Sequence, residues 1–197
     1  MTAVLRDVSR RLVHLWFVAA AAWLGVQPAF AAEIAIGDTR RVPEAALEVA
    51  AVYLQPIEME PATHEGRVLY LTRDKADIHL EADIHALPGS KHGFRDGEWI
   101  PGLVVRFALT HLDSGAEQSG ILHPMTASDG PHYGANIKMP GLGTYRLRFV
   151  VEPPDRVPAD APMRASLGRS TRVAPWWTPF TLEWTFKYFG PGKKGGY

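Results

Sequence analysis

The sequence predicts an all-β protein, an antiparallel β-sandwich of immunoglobulin-like type with about seven or more strands. Three observations predict it. Apolar and polar residues alternate in several short segments, the period of a half-buried strand. Turn signals built from Gly, Pro, Asp, Ser and Asn separate those segments at short intervals. Few stretches are long enough for a helix, and there is no internal repeat. Cysteine is absent, so no disulfide joins the sheets, and burial of Leu, Val, Ile and aromatic side chains must hold them together.

Taken in order, residues 1–31 have the pattern of a secretory signal peptide. Arg6, Arg10 and Arg11 form a basic start, Leu15 to Val26 an apolar core, and Ala29-Phe30-Ala31 an A-x-A cleavage site. A membrane anchor would need roughly 20 apolar residues; the run from Leu12 to Val26 is shorter and contains His14. No transmembrane segment is expected in the mature chain. Cleavage would leave a domain spanning 32–189 and a glycine-rich tail, 190–197, expected to be disordered. The leader removes three arginines and one aspartate, leaving 18 basic and 20 acidic residues. That balance, without a clustered basic surface, argues against nucleic acid as a partner.

Glu48 to Leu54 is the first expected strand, ended by Gln55-Pro56, and Arg67 to Thr72 the second. Between them Ile57-Glu58-Met59-Glu60-Pro61 sets two carboxylates around a thioether. It reads either as a solvated strand end or as a possible additional metal position. Asp77 to Ala86 is the most informative strand. Ile78, Leu80, Ala82, Ile84 and Ala86 alternate with Asp77, His79, Glu81, Asp83 and His85. The apolar set faces the core, so the other face carries three carboxylates and two imidazoles in one row. Side chains two apart on a face lie roughly 6 to 7 Å from one another, which lets His79 and Glu81 converge on one ion. An ordinary acidic sheet face is the alternative.

Leu87 to Gly97 reads as a long loop with an exposed His92. Strands are expected again from Leu103 to Thr110, Thr144 to Val151 and Thr181 to Tyr188, with a long crossing loop from Glu152 to Thr171. Pro175 to Phe180 is an aromatic knot suited to core or subunit packing. The stretch from His123 to Asn136, H-P-M-T-A-S-D-G-P-H-Y-G-A-N, holds Met125, Asp129 and His132 within eight residues. The Asp129-Gly130-Pro131 turn signal places them on a loop, where reversals can gather imidazole, carboxylate and thioether around a cation. A surface turn with a tucked-in Met is the alternative. The lack of cysteine excludes the thiolate-ligated electron-transfer copper centre.

The strings A-V-Y-L-Q-P-I-E-M-E-P, A-D-I-H-L-E-A-D-I-H-A, P-M-T-A-S-D-G-P-H-Y-G-A-N-I and P-W-W-T-P-F resemble the family of periplasmic ferrous-iron transport proteins. These are copper-binding accessory proteins encoded with iron permeases, and they include a spirochaetal membrane antigen. The similarity runs from about Glu33 to Tyr188. It implies an immunoglobulin-like homodimer in the periplasm, with copper as cofactor, iron (or manganese as a substitute) as the transported or transient ion, and an inner-membrane iron permease as partner. The family's copper ligands fall on His79, Met125 and His132, Glu81 matches a carboxylate used for a mobile or second metal position, and Asp129 lies near the site. Asp83 joins Glu58, Met59 and Glu60 as possible additional ligands. The family carries a further histidine in a segment like R-H-x-D-K-E-T-G-V. Here that stretch reads A-S-L-G-R-S-T-R-V, and no histidine follows His132. Glu81, water or Met163 are the candidate replacements.

The expected function is metal binding in support of ferrous-iron uptake rather than enzymatic turnover, with a redox role on iron open. A periplasmic copper carrier or copper-resistance protein would use the same ligands. A copper-dependent redox enzyme is the alternative from another class; oxidative polysaccharide cleavage would need an N-terminal histidine, and the expected mature start is Ala32.

Overall fold

The computed structural model describes residues 33–61, 63–68, 70–156 and 174–190. The expected signal peptide, the tail beyond Gly190, Met163 and most of the expected crossing loop lie outside these residues. Among these residues there are eleven strands: β1 Ile34–Ala35, β2 Arg40–Val42, β3 Leu47–Leu54, β4 Thr63–His64, β5 Arg67–Val68, β6 Ile78–Ala86, β7 Val104–His111, β8 Glu117–Ala127, β9 Gly130–Ile137, β10 Gly143–Glu152 and β11 Phe180–Tyr188. Among the described residues the only helical element is a single 3-10 turn, Pro154–Arg156.

The main sheet runs β1-β3-β6-β9-β8-β7-β10-β11, with β2 also on β3, and every pairing is antiparallel. It becomes a sandwich because β8 serves both halves. Its first part, Glu117 to Leu122, pairs with β7, and its second, His123 to Ala127, pairs with β9. The halves then face each other. Tyr53 of β3 meets Phe186 and Tyr188 of β11 at ring-centroid distances of 5.8 and 5.9 Å, and Trp184 donates its indole N–H to the Asp38 carbonyl at 2.9 Å.

Alternation puts the expected residues inside. Ile78, Leu80, Ala82 and Ile84 of β6 are fully buried, as are Tyr145, Leu147, Phe149 and Val151 of β10. Burying each such aliphatic side chain contributes roughly 1.5–3 kcal/mol. The Tyr133 hydroxyl, also buried, donates to the Ile100 carbonyl at 2.7 Å and accepts from the Leu103 amide at 2.9 Å, so its burial leaves no polar atom unpaired.

Three local expectations are corrected. His123 to Asn136 is no loop: it is the β8–β9 hairpin, reversed at Ser128-Asp129. The strand expected over Arg67 to Thr72 shrinks to the two residues of β5, because it pairs only with the equally short β4. His92 is partly buried rather than exposed, its ring stacked on Trp176 at 4.4 Å and 5°.

Candidate metal centre

Register explains how the site assembles. On β6 and β9, His79 lies opposite Asn136 and Glu81 opposite Gly134. On β8 and β9, His123 lies opposite Gly134 and Met125 opposite His132. Side chains alternate between faces, so His79 and Glu81 of β6, His132, Gly134 and Asn136 of β9, and His123 and Met125 of β8 share the face turned away from the core.

This outer face is not solvated. His79 is 0% exposed, Glu81 2% and His132 3%. Described residues between β3 and β6, among them Ile57, Tyr70 and Leu71, cross it as a strap. Asn136 gives its two side-chain N–H groups to the carbonyls of Ile57 (2.8 Å) and Leu71 (2.9 Å). Tyr70 sets its ring edge-on to His123 at 5.0 Å.

Inside, the Glu81 carboxyl stands 3.5 Å from His79 Nε2 and 3.3 Å from His132 Nε2. The three residues can offer one ligand atom each, all within 4.8 Å of one another. Neither Nε2 has a hydrogen-bond partner among the described residues. Buried polar atoms are seldom left so. Met125 belongs to the same cluster: a methyl group placed on Gly134 would collide with His79 Nε2 and stand 3.0 Å from Met125 Sδ. Gly134 therefore keeps open the space into which imidazole and thioether both point.

Electrostatics fit a cation. Burial, with a smaller repulsion from His132, lowers the His79 pKa to about 4, which keeps the ring neutral with a free lone pair. Burial first, then Asp83, Glu33 and Asp129, raises Glu81 to about 8. An empty centre thus carries a protonated Glu81 at neutral pH, and an entering cation would replace that proton. Two imidazoles, a carboxylate and a thioether suit a borderline-soft transition metal better than Mg2+ or Ca2+.

The structure brings four of the sequence candidates, His79, Glu81, Met125 and His132, to one place. Asp83 is half-buried and one step along the face. Asp129 is exposed at the hairpin turn, where its carboxyl shares a hydrogen bond with Glu33 that helps raise the Glu33 pKa, after burial and Asp83. Glu58 and Glu60 are exposed and Met59 is buried; among the described residues neither glutamate joins the His79, Glu81 and His132 group. Sequence reasoning missed Gly134, Asn136 and Glu33. A period of two read through His132, Gly134 and Asn136 would have placed the first two on the ligand face.

Fold and site together define an antiparallel β-sandwich with a buried His and Glu centre, flanked by a partly buried Met, on one outer face. The chain belongs to the Fe2+ transport protein family, which matches residues 30–190. It is 48% identical over 171 residues to a UPF0423 protein of Brucella abortus, covering 85% of this chain and 87% of that one. The 34 kDa membrane antigen of Treponema pallidum is 40% identical over 162 residues, 81% of this chain and 76% of the antigen. Among solved structures, copper-reconstituted P19 of Campylobacter jejuni is 42% identical with a TM-score of 0.69, covering 82% of this chain and 99% of P19. FetP of uropathogenic Escherichia coli strain F11, produced in the periplasm, is 47% identical with a TM-score of 0.69, covering 81% and 97%.

Proposed function

We propose that this chain is a periplasmic metal-binding protein, exported by residues 1–31, that holds copper between His79, His132, Met125 and Glu81 and assists ferrous-iron uptake through an inner-membrane permease. One observation carries the reading: two buried imidazole nitrogens without partners converge on a buried carboxyl, with a thioether facing the same space. Copper-bound P19 and FetP support the choice of ion. Bound copper would supply a one-electron couple. Imidazole and carboxylate favour Cu(II), and the thioether favours Cu(I). The chain's own part is to present neutral His79, to exclude water with the strap, and to exchange the Glu81 proton for the ion. Homodimer formation belongs to the same reading.

Anaerobic titration with Cu(II), Mn(II) and Fe(II) tests the site. The parent should take up copper stoichiometrically and more tightly than the other two ions, and His79→Ala should lose it. Failure of the parent to bind any of the three would overturn the reading. The transport role is tested by radio-iron uptake in cells expressing the permease with the parent or with His132→Ala; equal uptake would refute it.

A further inference from the structure

Asn136 is 8% exposed, and all of its side-chain hydrogens are spent. Both Nδ2 hydrogens go to carbonyl oxygens, Ile57 O at 2.8 Å and Leu71 O at 2.9 Å. Carbonyls only accept, so the amide cannot be flipped, and Oδ1 must be the atom 3.0 Å from His79 Nδ1. His79 Nδ1 therefore carries the proton. Its Nε2 is left as the lone pair aimed at Glu81 and His132. The same Oδ1 accepts a longer bond from the Ile57 amide at 3.3 Å.

We propose that Asn136 is a positioning residue that couples metal occupancy at His79 to closure of the strap from Gln55 to Thr72. The inference rests on the metal reading of His79. A cation on Nε2 draws electron density from the ring and makes Nδ1–H a stronger donor, which strengthens the bond to Asn136. Polarised through Oδ1, the amide holds the Ile57 and Leu71 carbonyls more firmly. Coupling of this kind is reciprocal: whatever factor the closed strap adds to metal affinity, the metal adds to strap closure. Asn136, which is 79 and 65 residues from Ile57 and Leu71, thus ties one ligand to both ends of the strap, and release of the strap is the route by which the buried ion would be surrendered.

The test compares the parent with Asn136→Leu and Asn136→Asp, measuring Cu(II) affinity by competition titration and hydrogen–deuterium exchange of residues 55–72 with and without Cu(II). In the parent, Cu(II) should slow that exchange. Asn136→Leu should lose roughly 10- to 100-fold in affinity, the usual effect of removing an outer partner of a ligating imidazole, and lose the copper-dependent slowing with it. Asn136→Asp keeps an acceptor for His79 but turns a carboxylate toward two carbonyls. It should retain copper while the strap exchanges equally fast with and without it. Persistence of copper-dependent slowing in Asn136→Asp, or strap exchange in the copper-binding parent that ignores copper, would overturn the coupling. A parent that binds no copper would instead sink the metal reading itself.

Discussion

The two outer faces of the sandwich follow one alternation rule and meet opposite fates. Over β7, β10 and β11 the outward residues include Arg106, Thr110, Arg146, Arg148, Glu183, Thr185 and Lys187, all partly or fully exposed. Over β6, β9 and β8 they include His79, Glu81, His132, Gly134 and Met125; the first three are almost completely buried, and the strap is bonded to Asn136 on the same face. The first face needs only water for its charges. The second removes two imidazoles and a carboxyl from water and leaves both Nε2 atoms unpaired, a cost that a bound cation would offset. Period alone does not separate the faces; what covers each one does.

The largest break in that contrast comes from removing a ligand. His132→Ala should abolish stoichiometric copper uptake while the fold persists, as read by metal analysis beside circular dichroism. Gly134→Ala should come next. Its new methyl group would meet His79 Nε2, which Asn136 holds in place, and Met125 Sδ at 3.0 Å. Copper affinity should fall by about 10-fold or more, on the scale of a disturbed ligand environment. Unchanged affinity would mean that the thioether and imidazole do not share the ion.

A subtler change sharpens the electrostatic side. With Glu81 raised to about 8, copper binding at pH 7 should release close to one proton from this carboxyl and progressively less above pH 8. His79, lowered to about 4, is already neutral and should release none. Calorimetry in buffers of different ionisation enthalpy reads the proton count, and Glu81→Gln should remove it. The metal-free fold shows the matching signs. The raised Glu81 makes it lose stability as pH rises from about 4.5 toward 8, whereas the lowered His79 makes it lose stability as pH falls from 6.5 toward 4. The two slopes oppose between about 4.5 and 6.5, so Glu81 alone of this pair governs from 6.5 to 8. Denaturant titration of the metal-free protein should show that decline, and Glu81→Gln should flatten it.

Much of this was legible in the sequence where the signal is local. Strand β6 announces both of its faces within ten residues, and the observed bounds, Ile78–Ala86, differ from the expected ones by a single residue. The β8–β9 hairpin was illegible for a physical reason. Pro124, Gly130, Pro131 and Gly134 are loop-formers by propensity, yet here each has a place in the sheet. Pro124 lies where β8 passes from one half to the other, a position that tolerates a missing donor, and Gly134 makes room for His79 and Met125. The strap was beyond local reading altogether, since its closure depends on Asn136 meeting Ile57 and Leu71 across most of the domain. The resemblance, by contrast, named His79, Met125 and His132 as expected ligands without supplying the geometry.

The smallest expected effect lies on the solvated face and serves as the control for all the others. Arg106 pairs with Glu152 at 2.7 Å, but the arginine side chain is 52% exposed. Such a pair is worth about 0–1 kcal/mol, because water screens it and two long side chains must be ordered to make it. Arg106→Ala should therefore lower stability by less than about 1 kcal/mol and leave copper affinity and its proton release untouched. Arg106 stands on β7, whose neighbours in the sheet are β8 and β10 rather than β6 or β9. A marked loss of copper binding in this variant would mean that the two halves of the sandwich communicate through β8. The contrast between the faces would then describe one coupled surface rather than two independent ones.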